Sequence, residues 1–142
     1  MPTYHTPFEA YDESEQHDKY PLYHYCERTR WHLHTQYNHA PVLRELDPEP
    51  YLRMNPVDAE ARGIAEGDYV EAYNDRGHCV CKAKFDMGVR PGMVSSPKGW
   101  HRGAYVAGSY QELTCDHLNL LHMNTSFDDT LVEVRKYEGE VK

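Results

Sequence analysis

Apolar and polar positions change rhythm between residues 55 and 85, "NPVDAEARGIAEGDYVEAYNDRGHCVCKAKF". The first part reads as a helix start. Asn55 is a favourable N-cap, Pro56 suits the first turn because its missing N–H is not needed there, and Asp58 faces the positive end of the helix dipole. Gly63 can adopt the left-handed conformation that closes a helix. Gly67-Asp68 then supplies a tight turn, and residues 69–73 read as a strand. Asp75-Arg76-Gly77 reverses the chain. Cys79, Cys81, Ala83 and Phe85 alternate with Val80, Lys82 and Lys84, a period of two with one apolar face. The unit predicted is helix, turn, strand, hairpin, strand. Elsewhere the pattern predicts a strand over 20–26 with Pro21 near its start, and another over 93–96. A short helix is expected over 113–122, with Thr114 as N-cap. A closing strand is expected over 130–137, with Leu131, Val132 and Val134 on its buried side. Residues 1–19 show no periodicity and read as an extended arm, leaving 20–142 as the folded domain.

The pattern glycine, branched aliphatic, two variable residues, glycine occurs twice, at Gly63–Gly67 and Gly88–Gly92, each time ahead of a strand. Two copies suggest a pseudo-symmetric β structure, although such turns also arise by chance.

Composition narrows the class. The chain has 142 residues, 39% hydrophobic and 12% aromatic, a globular profile with enough length for one core. A net charge of −8 argues against nucleic acid or an anionic membrane as the main partner, while leaving room for a local phosphate-binding patch. No apolar run approaches the ~20 residues that span a bilayer. The polar, acidic start predicts no secretion signal, so the expected location is the cytoplasm, or the periplasm if a longer parent enzyme is exported. Cys26, Cys79, Cys81 and Cys115 lack zinc-site spacing and read as small apolar residues in a reducing compartment.

Two stretches can carry chemistry. In "YPLYHYCERTRWHLHTQYN", residues 20–38, a strand runs into a loop holding Thr29, Arg30, His32 and His34. Such a loop can donate many hydrogen bonds to phosphate or to a polar heterocycle. Alternatively, the histidines are metal ligands or plain surface residues. In "SSPKGWHRGAY", residues 95–105, a strand leads to Lys98, to Gly99 (which permits close backbone approach), and to Trp100 and His101. This is either a second ligand loop or a proline-glycine loop with a half-buried tryptophan. The chain has no Gly-x-Ser-x-Gly elbow, Walker loop or His-Glu-x-x-His helix.

The order of these features resembles the C-terminal molybdopterin-dinucleotide-binding domain of the dimethyl-sulfoxide-reductase family of molybdenum and tungsten oxidoreductases. The matching residues run "YPL…TRWHLHTQYN…LRELDPEPYLRMNPVDAEARGIAEGDYVEAYNDRG…GVRPGMV…GW…LVEV", from Tyr20 to about Tyr137. The resemblance implies a mainly β fold, a double-psi β-barrel with a few short helices, whose pseudo-twofold halves the two glycine turns would mark. It also implies binding of molybdopterin guanine dinucleotide by Thr29, Arg30, His32 and His34, and by Lys98, Trp100 and His101. Gln111 stands where many relatives carry asparagine. Asn119, Asp128 and the neighbouring Phe127 are nominated as well. The iron–sulfur cysteines and the metal ligand of the family belong to other domains. The chain is therefore expected to hold part of a cofactor, to be inactive alone, and to partner the remaining catalytic domains or subunits. It would be a portion of a longer protein or a natural small subunit. The alternative is a double-psi barrel serving as a protein-binding adaptor.

Overall fold

Asn55 organises the segment that the pattern singled out. In the computed structural model, which describes residues 3–120 and 123–141, its Oδ1 accepts from Val57 N at 3.0 Å and its Nδ2 donates to Val89 O at 2.8 Å. This cap starts helix α2 (Pro56–Glu60), and Gly63 turns the chain away at φ 64°. The preceding strand is β2 (Tyr51–Met54), and β3 (Tyr69–Tyr73) and β4 (His78–Phe85) follow as the expected hairpin. The first strand, β1 (Leu22–Glu27), buries Leu22, His24 and Cys26 in strict alternation. A six-residue helix, α1 (Pro41–Leu46), lies between β1 and β2 and buries none of its residues. β5 (Met93–Pro97) and a closing strand, Thr130–Lys136, complete the large elements. Short pieces lie between these two: β6 (Ala107–Gly108), β7 (Leu118–Asn119) and β8 (Asn124–Thr125), so the closing strand is β9.

Six strands close on themselves in the order β2-β5-β1-β9-β3-β4, with β4 returning to β2 and β6 added to the side of β4. The pairs β1–β5 and β2–β4 are parallel, and the other four pairs of the ring are antiparallel. The core inside includes Leu22, Leu52, Met54, Val70, Val94, Leu113, Val132 and Val134. This is the mainly β, mixed six-stranded barrel expected of a double-psi fold. Exchanging β1 with β4, β2 with β5 and β3 with β9 leaves every pairing of the six-stranded ring and its direction unchanged. The chain is thus two β-β-β halves related by a pseudo-twofold.

The glycine echo does not mark those halves. Gly63–Gly67 lies between β2 and β3, whereas Gly88–Gly92 lies between β4 and β5, and the exchange does not relate these connections. Gly63 has φ 64°, while Gly88 is not among the left-handed glycines, so the two turns also differ locally.

The expected helix over 113–122 is absent among the described residues. In its place are a 3-10 turn at Tyr110–Glu112 and the β7–β8 ribbon; Leu121 and His122 lie outside the described residues. Thr114 Oγ1 donates back to Gln111 O at 2.9 Å instead of capping a helix. Leu113 is buried but Leu118 and Leu120 are 43% and 84% exposed, so no apolar face is available for a helix to bury.

The arm, residues 3–19, has neither helix nor strand but is tied across the barrel. Asp129 accepts from the backbone N–H groups of Phe8, Glu9 and Ala10 at 2.6–3.1 Å. Glu9 is buried, pairs with Arg76 at 2.6 Å and accepts from Leu131 N at 2.7 Å.

Candidate functional site

Parallel pairing of β1 with β5, in the register Glu27↔Pro97, sends the two donor-rich loops out of the same end of the barrel. The backbone N–H of Lys98 donates to Glu27 O at 2.8 Å and fixes their relative height. β9 runs antiparallel to β1, so the residues before it arrive at this end too. There Asp128 Oδ1 accepts from Cys26 N at 2.8 Å, and Lys98 Nζ lies 3.9 Å from Asp128 Oδ2 and 4.4 Å from the Phe127 ring. Burial, with Asp128 alongside, pushes the Cys26 thiol up to about 12, so it stays protonated at neutral pH.

The loops interlock through a glycine. A Cβ on Gly99, which has φ 93°, would stand 1.9 Å from His34 O, so only glycine lets the His34 peptide sit there. His34 is itself left-handed at φ 51°, and Tyr37 at φ 71°. Asn38 Nδ2 donates to Gly99 O at 2.6 Å. His32 closes the seam: its ring meets Trp100 edge-on at 5.3 Å, and its Nδ1 donates to His34 O at 2.8 Å. Its Nε2 lies 3.4 Å from Asp47 Oδ2, both side chains being nearly buried at 3% and 8% exposure. Burial holds Asp47 above the usual carboxylate range, against the pull of His32, Lys84 and Arg44. Backbone strain concentrated where two loops meet is typical of sites that must hold one shape.

The nominated residues divide into two layers. His32 and Trp100 face inward, with Arg44 over the Trp100 ring at 5.4 Å. Arg30, His34, His101 and Gln111 are exposed, and Thr29 is half-buried with its Oγ1 3.4 Å from the His32 backbone. His101 stacks on His39 at 5.8 Å. Gln111 lies in the 3-10 turn beside Tyr110, whose hydroxyl is hydrogen-bonded to the Gly99 backbone. Asn119 sits apart from the interlocked loops, on the β7–β8 ribbon next to the arm. No group of three or more His, Cys, Asp or Glu side chains among the described residues is arranged to hold a metal ion.

Charge completes the site. Arg53, Arg62, Arg76, Arg102 and Arg135 each pair with a carboxylate. Arg28, Arg30, Arg44 and Arg90 are exposed and hold none among the described residues; Arg30 lies over the Trp31 ring at 5.8 Å and Arg44 over the Trp100 ring at 5.4 Å. On a chain of net charge −8, Arg28 and Arg30 on the first loop, with Arg44 close by over Trp100, form a local anion-attracting patch. Sequence reasoning nominated neither Arg28, although it lies in the same donor-rich loop, nor Asn38 and Asp47. The turn-forming run "YNHAP" and the Asp47-Pro48 step were the available signals for the last two.

Comparison with known proteins agrees with this architecture. Residues 22–131 match the family described as "Molydopterin dinucleotide binding domain". A Halobacterium salinarum protein, named for the catalytic chain of a dimethyl sulfoxide reductase, is 37% identical over 123 residues, 87% of this chain and 15% of that protein. Dimethyl sulfoxide reductase DmsA of Escherichia coli is 34% identical over 145 residues, 96% of this chain and 17% of that protein. Acetylene hydratase from Pelobacter acetylenicus shares the fold with a TM-score of 0.84, at 19% identity over 96% of this chain and 21% of that one. The chain therefore spans about a sixth of the length of these curated relatives. With the match running from the first barrel strand into the last, this chain belongs to the molybdopterin-dinucleotide-binding domain family, related to the dimethyl-sulfoxide-reductase family of enzymes.

Proposed function

We propose that this chain binds the guanine-dinucleotide form of molybdopterin at the barrel end where the 28–40 and 98–101 loops interlock. It does so as the C-terminal domain or a small subunit of a molybdenum or tungsten oxidoreductase. The observation that carries this reading is that both arginines of the first loop, Arg28 and Arg30, are exposed without a carboxylate partner among the described residues, beside a rim of exposed donors. Guanidinium forks, imidazoles and the Gln111 amide fit a diphosphate and a polar heterocycle, the donor chemistry that such a dinucleotide requires. Arg30, His34, His101 and Gln111 would touch it, with Thr29, Lys98 and Asp128 bordering the site. His32 and Trp100 hold the loops from behind. Redox chemistry would come from the metal that the cofactor carries; this chain's part is to bind and orient. An exposed apolar cleft between the arm and the ribbon, with Phe8 57%, Leu118 43% and Leu120 84% exposed, favours contact with the remainder of a larger enzyme. The same cleft is what an adaptor role would use.

Arg30→Lys tests the site. Lysine keeps the charge and loses the planar fork, so cofactor affinity of the assembled enzyme should fall by about one to two orders of magnitude, read as lower guanosine and metal content. An exposed loop residue should shift folding stability by less than about 0.5 kcal/mol. A variant that melts early yet keeps its cofactor would make Arg30 structural and refute the assignment.

A further inference from the structure

The seam between the two loops holds a proton. His34 O can only accept, so the hydrogen on His32 lies on Nδ1, which donates to it at 2.8 Å. A neutral His32 then presents a bare lone pair at Nε2, facing Asp47 Oδ2 at 3.4 Å. Neither of these atoms has a hydrogen-bond partner among the described residues, and the cavity they share with Asn38 and Trp100 leaves no room for a water molecule. Two acceptors cannot face each other in that space. A proton must lie between them, either as imidazolium with carboxylate or as imidazole with carboxylic acid.

We infer that the proton shared by His32 Nε2 and Asp47 Oδ2 is a latch that ties the 28–40 loop to the end of α1 and to the Trp100 loop, closed when the pair is protonated and released when it is not. Asp47 is then a positioning residue: it acts on the exposed rim through His32, whose Nδ1–H holds the His34 peptide against Gly99. The other charged groups facing the carboxylate are Arg44 from α1, Lys84 from β4 and Glu27 from β1. Burial already favours the protonated carboxyl, in the same direction. The latch stands independently of what the rim binds; only its consequence for a dinucleotide rests on the proposed function.

Hydrogen–deuterium exchange of the full chain, read on peptides covering 31–40 and 97–101 and corrected for intrinsic rates, tests it between pH 6 and 9 without any cofactor. Protection in the wild type should fall by at least about tenfold as pH rises, the change expected from losing one charge-assisted hydrogen bond. Asp47→Asn offers an amide N–H to Nε2 that cannot titrate in this range, so both peptides should stay protected throughout. Asp47→Ala should leave them unprotected at both pH values. If Asp47→Asn follows the wild-type pH profile, or wild-type protection does not change with pH, the latch is refuted. Either result stands even if Asp47→Ala does not fold. Cofactor content of Asp47→Asn, measured separately, reports on the proposed function alone.

Discussion

Gly99→Ala set against Gly92→Ala separates backbone strain from steric clash at the loop seam. Both glycines are left-handed, at φ 93° and 84°. An L side chain in that region costs about 1–2 kcal/mol at either position. At Gly92 nothing lies within 4 Å of the added Cβ, so strain is the whole effect. At Gly99 the Cβ meets His34 O at 1.9 Å and His34 C at 2.2 Å, both backbone atoms. The His34 peptide must retreat by about 1.5 Å to reach ordinary contact, which breaks the bonds from His32 Nδ1 to His34 O and from Asn38 Nδ2 to Gly99 O. Losing two hydrogen bonds at about 0.5–1.5 kcal/mol each raises the total to roughly 3 kcal/mol. For a chain of this size 1 kcal/mol moves Tm by about 3–4 °C, so Gly99→Ala should melt about 10 °C lower and Gly92→Ala about 3–8 °C lower, with Gly99→Ala the larger loss. Thermal unfolding followed by circular dichroism gives both numbers. Exchange of residues 31–40 should rise only in Gly99→Ala. Equal Tm losses, or unchanged exchange around His34, would mean that the loops do not interlock through Gly99.

His24 is fully buried, with Nε2 2.9 Å from Ser96 Oγ, and burial lowers its pKa from 6.5 to about 4. The unfolded chain takes up a proton that the folded chain refuses, so stability should be fully present above pH 6.5 and decline towards pH 4, by roughly 3 kcal/mol in all. Urea denaturation at pH 7 and 5 should show a smaller acid loss in His24→Gln than in the wild type; identical losses would remove His24 as the cause. Glu9→Ala should cost about 2–3 kcal/mol, because it strips Arg76 of its carboxylate and leaves Leu131 N without an acceptor inside the protein. The arm should then become sensitive to limited proteolysis, and an arm as resistant as in the wild type would show that Asp129 alone anchors it.

Local chemistry explains what was legible in the sequence. The Asn55 cap, the left-handed Gly63, the β3–β4 hairpin and the alternation along β1 and β9 depend on neighbours within a few residues, so the chain itself displays them. Family resemblance added the barrel, because it carries the order of features that no single segment contains. Tertiary structure alone decided the rest. The helix expected over 113–122 failed because Leu118 and Leu120 have no core to meet and Thr114 bonds backwards. β2 and α1 are too short, at four and six residues, to show a period. The glycine echo looked like the internal symmetry, but the twofold is written in strand pairing, between residues far apart in the chain. The candidate site was half legible: residue types in the two loops suggested a polar ligand. Which of them face outward was set by the parallel β1–β5 register, which brings Gly99 under His34 and turns His32 and Trp100 inward against Asp47 and Arg44. That choice depends on contacts across more than sixty residues, and no local pattern encodes it.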